Sequence, residues 1–115
     1  MLADAKPLIA DPIVEKAIRG SLKKPVGKLT EADLEKVEVL LLFRTQITDA
    51  GLKEVAKLQK LKTLSLFRTQ ITDAGLKEVA KLHHLEGLNL LGTQVTKAGV
   101  AELKRALPNC KIFSP

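Results

Sequence analysis

Between Val37 and Leu107 the apolar positions switch back and forth between two periods. Leu61, Leu64 and Leu66 lead to Thr69 and Ile71, and Leu64 and Leu66 alternate with their neighbours as in a half-buried strand. Ala74, Leu76, Val79, Ala80 and Leu82 then fall near helical spacing. Thr72 stands just before that run, where its hydroxyl can accept from free backbone amides. Asp73 follows in the first turn, where a negative charge suits the helix dipole. The predicted unit is a short strand, a turn and a helix of about three turns. Val37, Leu40, Leu42, Thr45 and Ile47 occupy the same places one unit earlier, and Leu85, Leu88, Leu90, Thr93 and Val95 one unit later.

The pattern is an internal repeat. Residues 43–58 and 67–82 both read FRTQITDAGLKEVAKL, an offset of 24, and a diverged copy, LGTQVTKAGVAELKRAL, begins at Leu91 on the same spacing. A fixed period in this range marks a solenoid, in which each unit buries its apolar face against its neighbours. The line L-x-x-L-x-L-x-x-T-x-I-T-D-A-G-L resembles a leucine-rich repeat of the subclass with an A-G-L helix start that is abundant in bacterial proteins. That resemblance implies an α/β fold: a right-handed solenoid with parallel strands on the concave face and helices on the convex one. Thr45, Thr69 and Thr93 stand where relatives often carry Asn, and are expected to bond the backbone of the next turn.

The flanks are predicted as caps, which a solenoid needs to keep its terminal cores from water. Asp11 and Pro12 form a helix start, and Ile13, Val14, Ala17, Ile18 and Leu22 give one apolar face before Pro25. Thr30-Glu31-Ala32-Asp33 has the pattern of a capping box opening a second short helix through Leu34 to Lys36. The stretch from Ile9 to Val37 is similar to the helical cap of internalin-like proteins. Pro108 breaks the last helix, and Lys111-Ile112-Phe113 supplies a final strand with an open edge. The expected organisation is one domain: a cap over about 8–36, repeats at 37–60, 61–84 and 85–108, and a closing strand over 109–115.

Composition adds little to the fold but narrows the chemistry. A chain of 115 residues buries roughly two-thirds of its unfolded surface. With aromatics at only 3%, Leu, Ile, Val and Ala must do the packing. The formal charge of +6 favours anionic partners. Its repeated lysines, Lys53, Lys57, Lys60, Lys62, Lys77 and Lys81, read as a solvated helix face. Cys110 is the single cysteine, expected in packed surroundings, so no intrachain disulfide or multi-cysteine metal site is expected. No stretch reaches the roughly 18–20 apolar residues of a membrane span. Met1–Ala10 lacks the basic start and apolar run of a signal peptide.

No catalytic constellation is predicted. Ser21, Ser65 and Ser114 have no His and acid at a nucleophile turn, and His83 and His84 are adjacent and point apart. Asp49 and Asp73 repeat, but Lys97 takes that place in the third unit, so no shared ion site and no cofactor is expected.

What the pattern offers instead is a surface. With Leu64 and Leu66 pointing inward, the intervening residues face outward. These are Val39, Leu41 and Phe43, then Thr63, Ser65 and Phe67, then Gly87, Asn89 and Leu91. Arg44 and Arg68 follow, with Gly92 at the matching place, and Gln46, Gln70 and Gln94 lie beyond. Relatives of the subclass usually carry Ser and Gly where this chain has Phe-Arg. Phe43, Phe67 and Leu91 are expected to form an apolar stripe with the two arginines alongside, a composition enriched at binding hot spots. The expectation is a non-enzymatic protein- or peptide-binding module acting through Val39, Leu41, Phe43, Arg44, Ser65, Phe67, Arg68, Asn89 and Leu91. The alternative is a homo-oligomer that buries the same stripe or the last strand. Nucleic acid fits less well, since Tyr and Trp are absent and no recognised motif is present.

Overall fold

The structure, a computed structural model, describes residues 7–115. The reading of Met1–Ala10 as no signal peptide falls largely outside those residues.

The cap comes first. Helix α1 (Pro12–Leu22) begins as Asp11 accepts from the amides of Ile13 and Val14, with Pro12 at its first position. It ends at Lys23, which takes a left-handed conformation and donates back to the carbonyls of Arg19 and Gly20. Helix α2 (Glu31–Leu34) opens with the reciprocal capping box of Thr30 and Asp33. Lys24 donates to Asp33, and that bond is the main reason the Asp33 carboxyl is held down to about 2. Ile9, Val14, Ile18, Leu29 and Leu34 are buried and continue the core of the repeats.

The repeats alternate strand and helix: β1 (Val39–Leu41), α3 (Leu52–Val55), β2 (Thr63–Ser65), α4 (Asp73–Val79), β3 (Gly87–Asn89), α5 (Lys97–Ala106) and β4 (Lys111–Phe113). The four strands form one parallel sheet in the order β1-β2-β3-β4. A constant offset of 24 aligns Leu40, Leu64, Leu88 and Ile112 across the sheet. The first three are fully buried against α3, α4 and α5, which stack on one another behind the sheet. Leu42, Leu66 and Leu90 make a second buried row, and Ile47 and Ile71 fill the turn into the helices.

Three local expectations change. The helices are not uniform: α3 has 4 residues, α4 has 7 and α5 has 10, although residues 43–58 and 67–82 are identical. In the second unit Thr72 caps Ala74 while its own amide and hydroxyl donate to Asp49 of the unit before. Among the described residues Thr48 donates to no carboxylate; its hydroxyl accepts from the Gly51 amide, and the helix starts three residues later in its unit. The threonines at 45, 69 and 93 donate to the carbonyls of Leu42, Leu66 and Leu90, three residues back in their own unit rather than in the next turn. Their role is structural, but each closes its own turn. Cys110 is half-buried rather than buried, and burial pushes its thiol up from the ordinary range.

The D-A-G segment explains how the units lock. Asp49 receives the amide and hydroxyl of Thr72, and Asp73 those of Thr96. Each aspartate lies over the glycine of the following unit, Gly75 and Gly99. Sequence reasoning assigned these aspartates to the helix dipole alone; their partners stand 23 residues on, across the stack. Bonding to the Thr96 hydroxyl, and then to its amide, holds the Asp73 carboxyl below its ordinary 3.8. A carboxyl depressed by folding contributes stability above its unfolded value and loses it as the pH falls through the folded one. Thr96→Val is therefore expected to flatten the loss of stability on acidification below about pH 4, as read from urea midpoints at neutral and acidic pH.

Candidate functional site: the open face of the sheet

Because side chains alternate along a strand, burying Leu40, Leu64 and Leu88 turns their neighbours to the opposite face. One row there is Val39, Thr63, Gly87 and Lys111, and the next is Leu41, Ser65, Asn89 and Phe113. Phe43, Phe67 and Leu91 come two residues further along the first three strands. The ladder reaches past the strands proper, with the amides of Arg44 and Arg68 donating to the carbonyls of Phe67 and Leu91 at 2.7 and 2.9 Å. Adjacent side chains in a row therefore sit at the strand spacing of about 4.8 Å.

Exposure separates these positions. Val39 is 43% exposed, Leu41 53%, Phe43 48% and Leu91 39%, so four apolar side chains of the expected set lie open. Ser65, Asn89 and Phe67 are half-buried, and Arg44 and Arg68 exposed. The stripe is therefore uneven. Phe43, at the edge unit, has its ring in the open, whereas Phe67 lies beneath two guanidiniums. Arg44 and Arg68 have their guanidinium carbons 5.8 and 5.5 Å from its ring centroid. Phe43, Arg44, Ser65, Phe67 and Asn89 surround a depression of about 590 Å³.

Two features outside the expected set extend the surface, Phe113 at one end and a groove beside α1 at the other. Phe113 is 49% exposed in the Leu41-Ser65-Asn89 row, with the Lys111 ammonium 5.4 Å from its ring. The strand itself was foreseen from Lys111-Ile112-Phe113, and the constant offset from Asn89 could have placed Phe113 on the open side. At the other end, α1 lies along β1, with the Ser21 hydroxyl donating to the Val39 carbonyl at 2.7 Å. Between them runs a groove of about 670 Å³ whose walls include Ile13, Ala17, Val39 and Leu41. Nothing in the sequence pattern indicated this groove, because it depends on where the cap helix docks.

The arginines occupy unusual backbone. Arg44 and Arg68 have φ +56°, and the third unit has Gly92 at φ +76°. A left-handed residue with a side chain costs on the order of 1–2 kcal/mol relative to glycine. Gly92 also leaves room for its neighbour: a Cβ there would come 2.8 Å from Arg68 Cγ and 3.2 Å from Arg68 Cα. Two long cationic side chains thus stand where glycine would be the relaxed choice.

His83 and His84 are exposed, and among the described residues no cluster of His, Cys, Asp or Glu could hold a metal. Among the described residues no helix is long and apolar enough to cross a membrane.

A parallel sheet built one strand per 24-residue unit, with helices stacked behind it and an open face in front, defines the class of solenoid repeat proteins. Residues 57–80 match the family model described as leucine-rich repeat. The fold is similar to internalin C2 of Listeria monocytogenes, with a TM-score of 0.60 and 25% identity over 90% of this chain. It is also similar to a leucine-rich-repeat protein of Leptospira interrogans, with a TM-score of 0.56 and 25% identity over 73% of this chain. The chain spans 53% and 21% of those two proteins, respectively. Among curated protein sequences none matches significantly. The fold is that of a leucine-rich-repeat solenoid, and one of its units carries the family's sequence pattern. Proteins of this class generally serve as non-enzymatic protein-interaction scaffolds.

Proposed function

We propose that the protein is a non-enzymatic module that holds a peptide or loop of another protein against the open face of its sheet. The observation that carries this reading is the set of exposed apolar side chains on the open face, with Val39, Leu41 and Phe43 grouped at β1 and Leu91 and Phe113 across a polar middle. Apolar side chains gathered on one face and rimmed by polar residues are what marks an interaction site. Arg44 and Arg68 beside Phe67 add the aromatic and arginine pairing that concentrates binding energy. Ser65 and Asn89, half-buried in the middle, supply hydrogen-bonding groups for a partner's backbone. Four strands span about 15 Å, a width suited to a segment rather than a whole domain.

A displayed library of 12-residue peptides selected on the protein tests this. Recovered peptides are expected to lose at least about tenfold in affinity, or 1.4 kcal/mol, on the Phe43→Ser, Phe67→Ser double variant. Circular dichroism would establish that the variant keeps its fold. Peptides that bind parent and variant equally would remove the open face from consideration.

A second reading, self-association, draws on β4. Lys111 and Phe113 bond β3, so the backbone of Ile112 faces outward at the last edge, where no strand follows among the described residues. Such an edge is a template for pairing. Light scattering on eluting fractions, with refractive-index detection because Tyr and Trp are absent, separates the two. A parent dimer made monomeric by the double phenylalanine variant would favour self-association through the stripe.

A further inference from the structure

The charged side chains of the open face are all of one sign. Strands β1 to β4 contain no Asp or Glu. Arg44 and Arg68 share the ring of Phe67, and Lys111 lies over Phe113. Among the described residues neither guanidinium meets a carboxylate. The ion pairs present engage Arg19, Lys24, Lys57 and Lys81 instead. The acids nearest to them along the chain, Asp49 and Asp73, accept from Thr72 and Thr96 instead, and Glu38 and Glu86 precede β1 and β3, at the opposite end of the strands.

An aromatic face attracts a cation without neutralising it or using up its hydrogen-bond donors. Both guanidiniums therefore keep their N–H forks available, each near the one ring and each on left-handed backbone. A fork of this geometry is matched by a carboxylate, which can take two parallel N–H bonds. Apolar ground adjoins the pair on both sides, with Phe43 and the groove beside Leu41 toward α1, and Leu91 toward β3.

We infer that the segment bound on the open face is acidic, carrying carboxylates for Arg44 and Arg68 next to apolar side chains that settle on Phe43 and beside Leu41. The inference rests on the open-face reading above and names the chemistry of its partner. The charge of +6 adds long-range attraction for such a segment. A nucleic acid strand is the poorer fit. It needs a basic track along its backbone and stacking platforms for successive bases. This face offers one arginine pair and one distant lysine.

The same 12-residue library serves as the probe, selected in parallel on the parent and on the Arg44→Gln, Arg68→Gln variant, with circular dichroism confirming the fold of each. Peptides recovered on the parent are expected to hold at least about twice the Asp and Glu content of the unselected library. They should weaken about tenfold on the glutamine variant and with rising salt. The Arg44→Lys, Arg68→Lys variant should retain part of the binding, because charge survives while the planar fork is lost.

Neutral peptides that depend on Phe43 and Phe67 but not on the arginines would overturn the acidic partner and leave the open-face reading standing. Peptides indifferent to both sets of substitutions, or no recovered peptides at all, would overturn both. A twelve-nucleotide oligothymidylate that binds through the arginines more tightly than any recovered peptide would overturn the inference in favour of nucleic acid.

Discussion

Leu64→Ala is expected to destabilise the protein by about 2–5 kcal/mol, the range for truncating a buried leucine. Leu64 is 0% exposed and sits in register between Leu40 and Leu88, so its side chain closes the core of the central unit on both sides. The removed methyl groups lose their burial, and the gap costs more because strands on either flank hold the walls apart. In a solenoid each unit touches only its neighbours, so a weakened middle unit uncouples the cap from the last strand. A domain of this size has on the order of 5–15 kcal/mol in total, and the substitution takes a large share of it. Urea denaturation followed by far-ultraviolet circular dichroism measures the effect. Ile112→Ala, at the half-buried end of the same row, should cost clearly less. Equal losses at the two positions would contradict the neighbour-coupled picture.

Gly75→Ala is expected to destabilise by roughly 2 kcal/mol, against the usual gain from replacing a helical glycine. A Cβ at Gly75 would come 2.5 Å from Asp49 Oδ1 and 2.6 Å from Leu52 Cδ1. The leucine methyl can turn aside, but the carboxylate is pinned by the Thr72 amide at 2.9 Å and hydroxyl at 2.6 Å. Moving it breaks bonds between units that also position the start of α4. Helix propensity alone would favour alanine by about 0.8–1 kcal/mol, so the sign of the result separates steric from intrinsic effects. A double-mutant cycle with Asp49→Ala sharpens the test. Removing the carboxylate sacrifices the inter-unit bonds but opens the space, so the two substitutions together should cost less than their sum. Strict additivity would show that the glycine is not there to admit the aspartate. Gly20→Ala, in α1 with nothing within 4 Å of the added carbon, is the matched control and should be neutral or stabilising.

The repeat carried most of the fold. Leu61, Leu64 and Leu66 at strand spacing, Leu76, Val79 and Leu82 at helical spacing, and a constant 24-residue step could be satisfied together by a parallel solenoid. Asp11-Pro12 and the Thr30–Asp33 box marked their helix starts because capping is a local interaction between residues two or three apart. The outward residues of the open face followed from alternation. Less legible were contacts that span units. The Asp49–Thr72 and Asp73–Thr96 bonds join residues 23 apart, and no local rule pairs them. The groove between α1 and β1 was hidden for the same reason.

The duplicated segment separates what the sequence determined from what the tertiary structure decided. Its sixteen residues specify the same turn with a left-handed arginine and the same buried leucines, Leu52 and Leu58 in one copy and Leu76 and Leu82 in the other, because those features depend on local backbone geometry and apolar spacing. Where the copies stand in the stack decided the rest. Both glutamates pair with the lysine three residues on, but Glu54 also accepts the amides of Ala10 and Asp11 and fastens the cap, contacts absent at Glu78 among the described residues. Thr72 bonds the aspartate of the unit before it and Thr48 bonds none among the described residues, and α3 is shorter than α4. Phe43 lies open on the edge strand, while Phe67 has strands on both sides and an arginine from each of two units against its ring. Local sequence sets which groups a residue can offer; which of them find partners is set by the neighbouring unit, and identical segments have different neighbours.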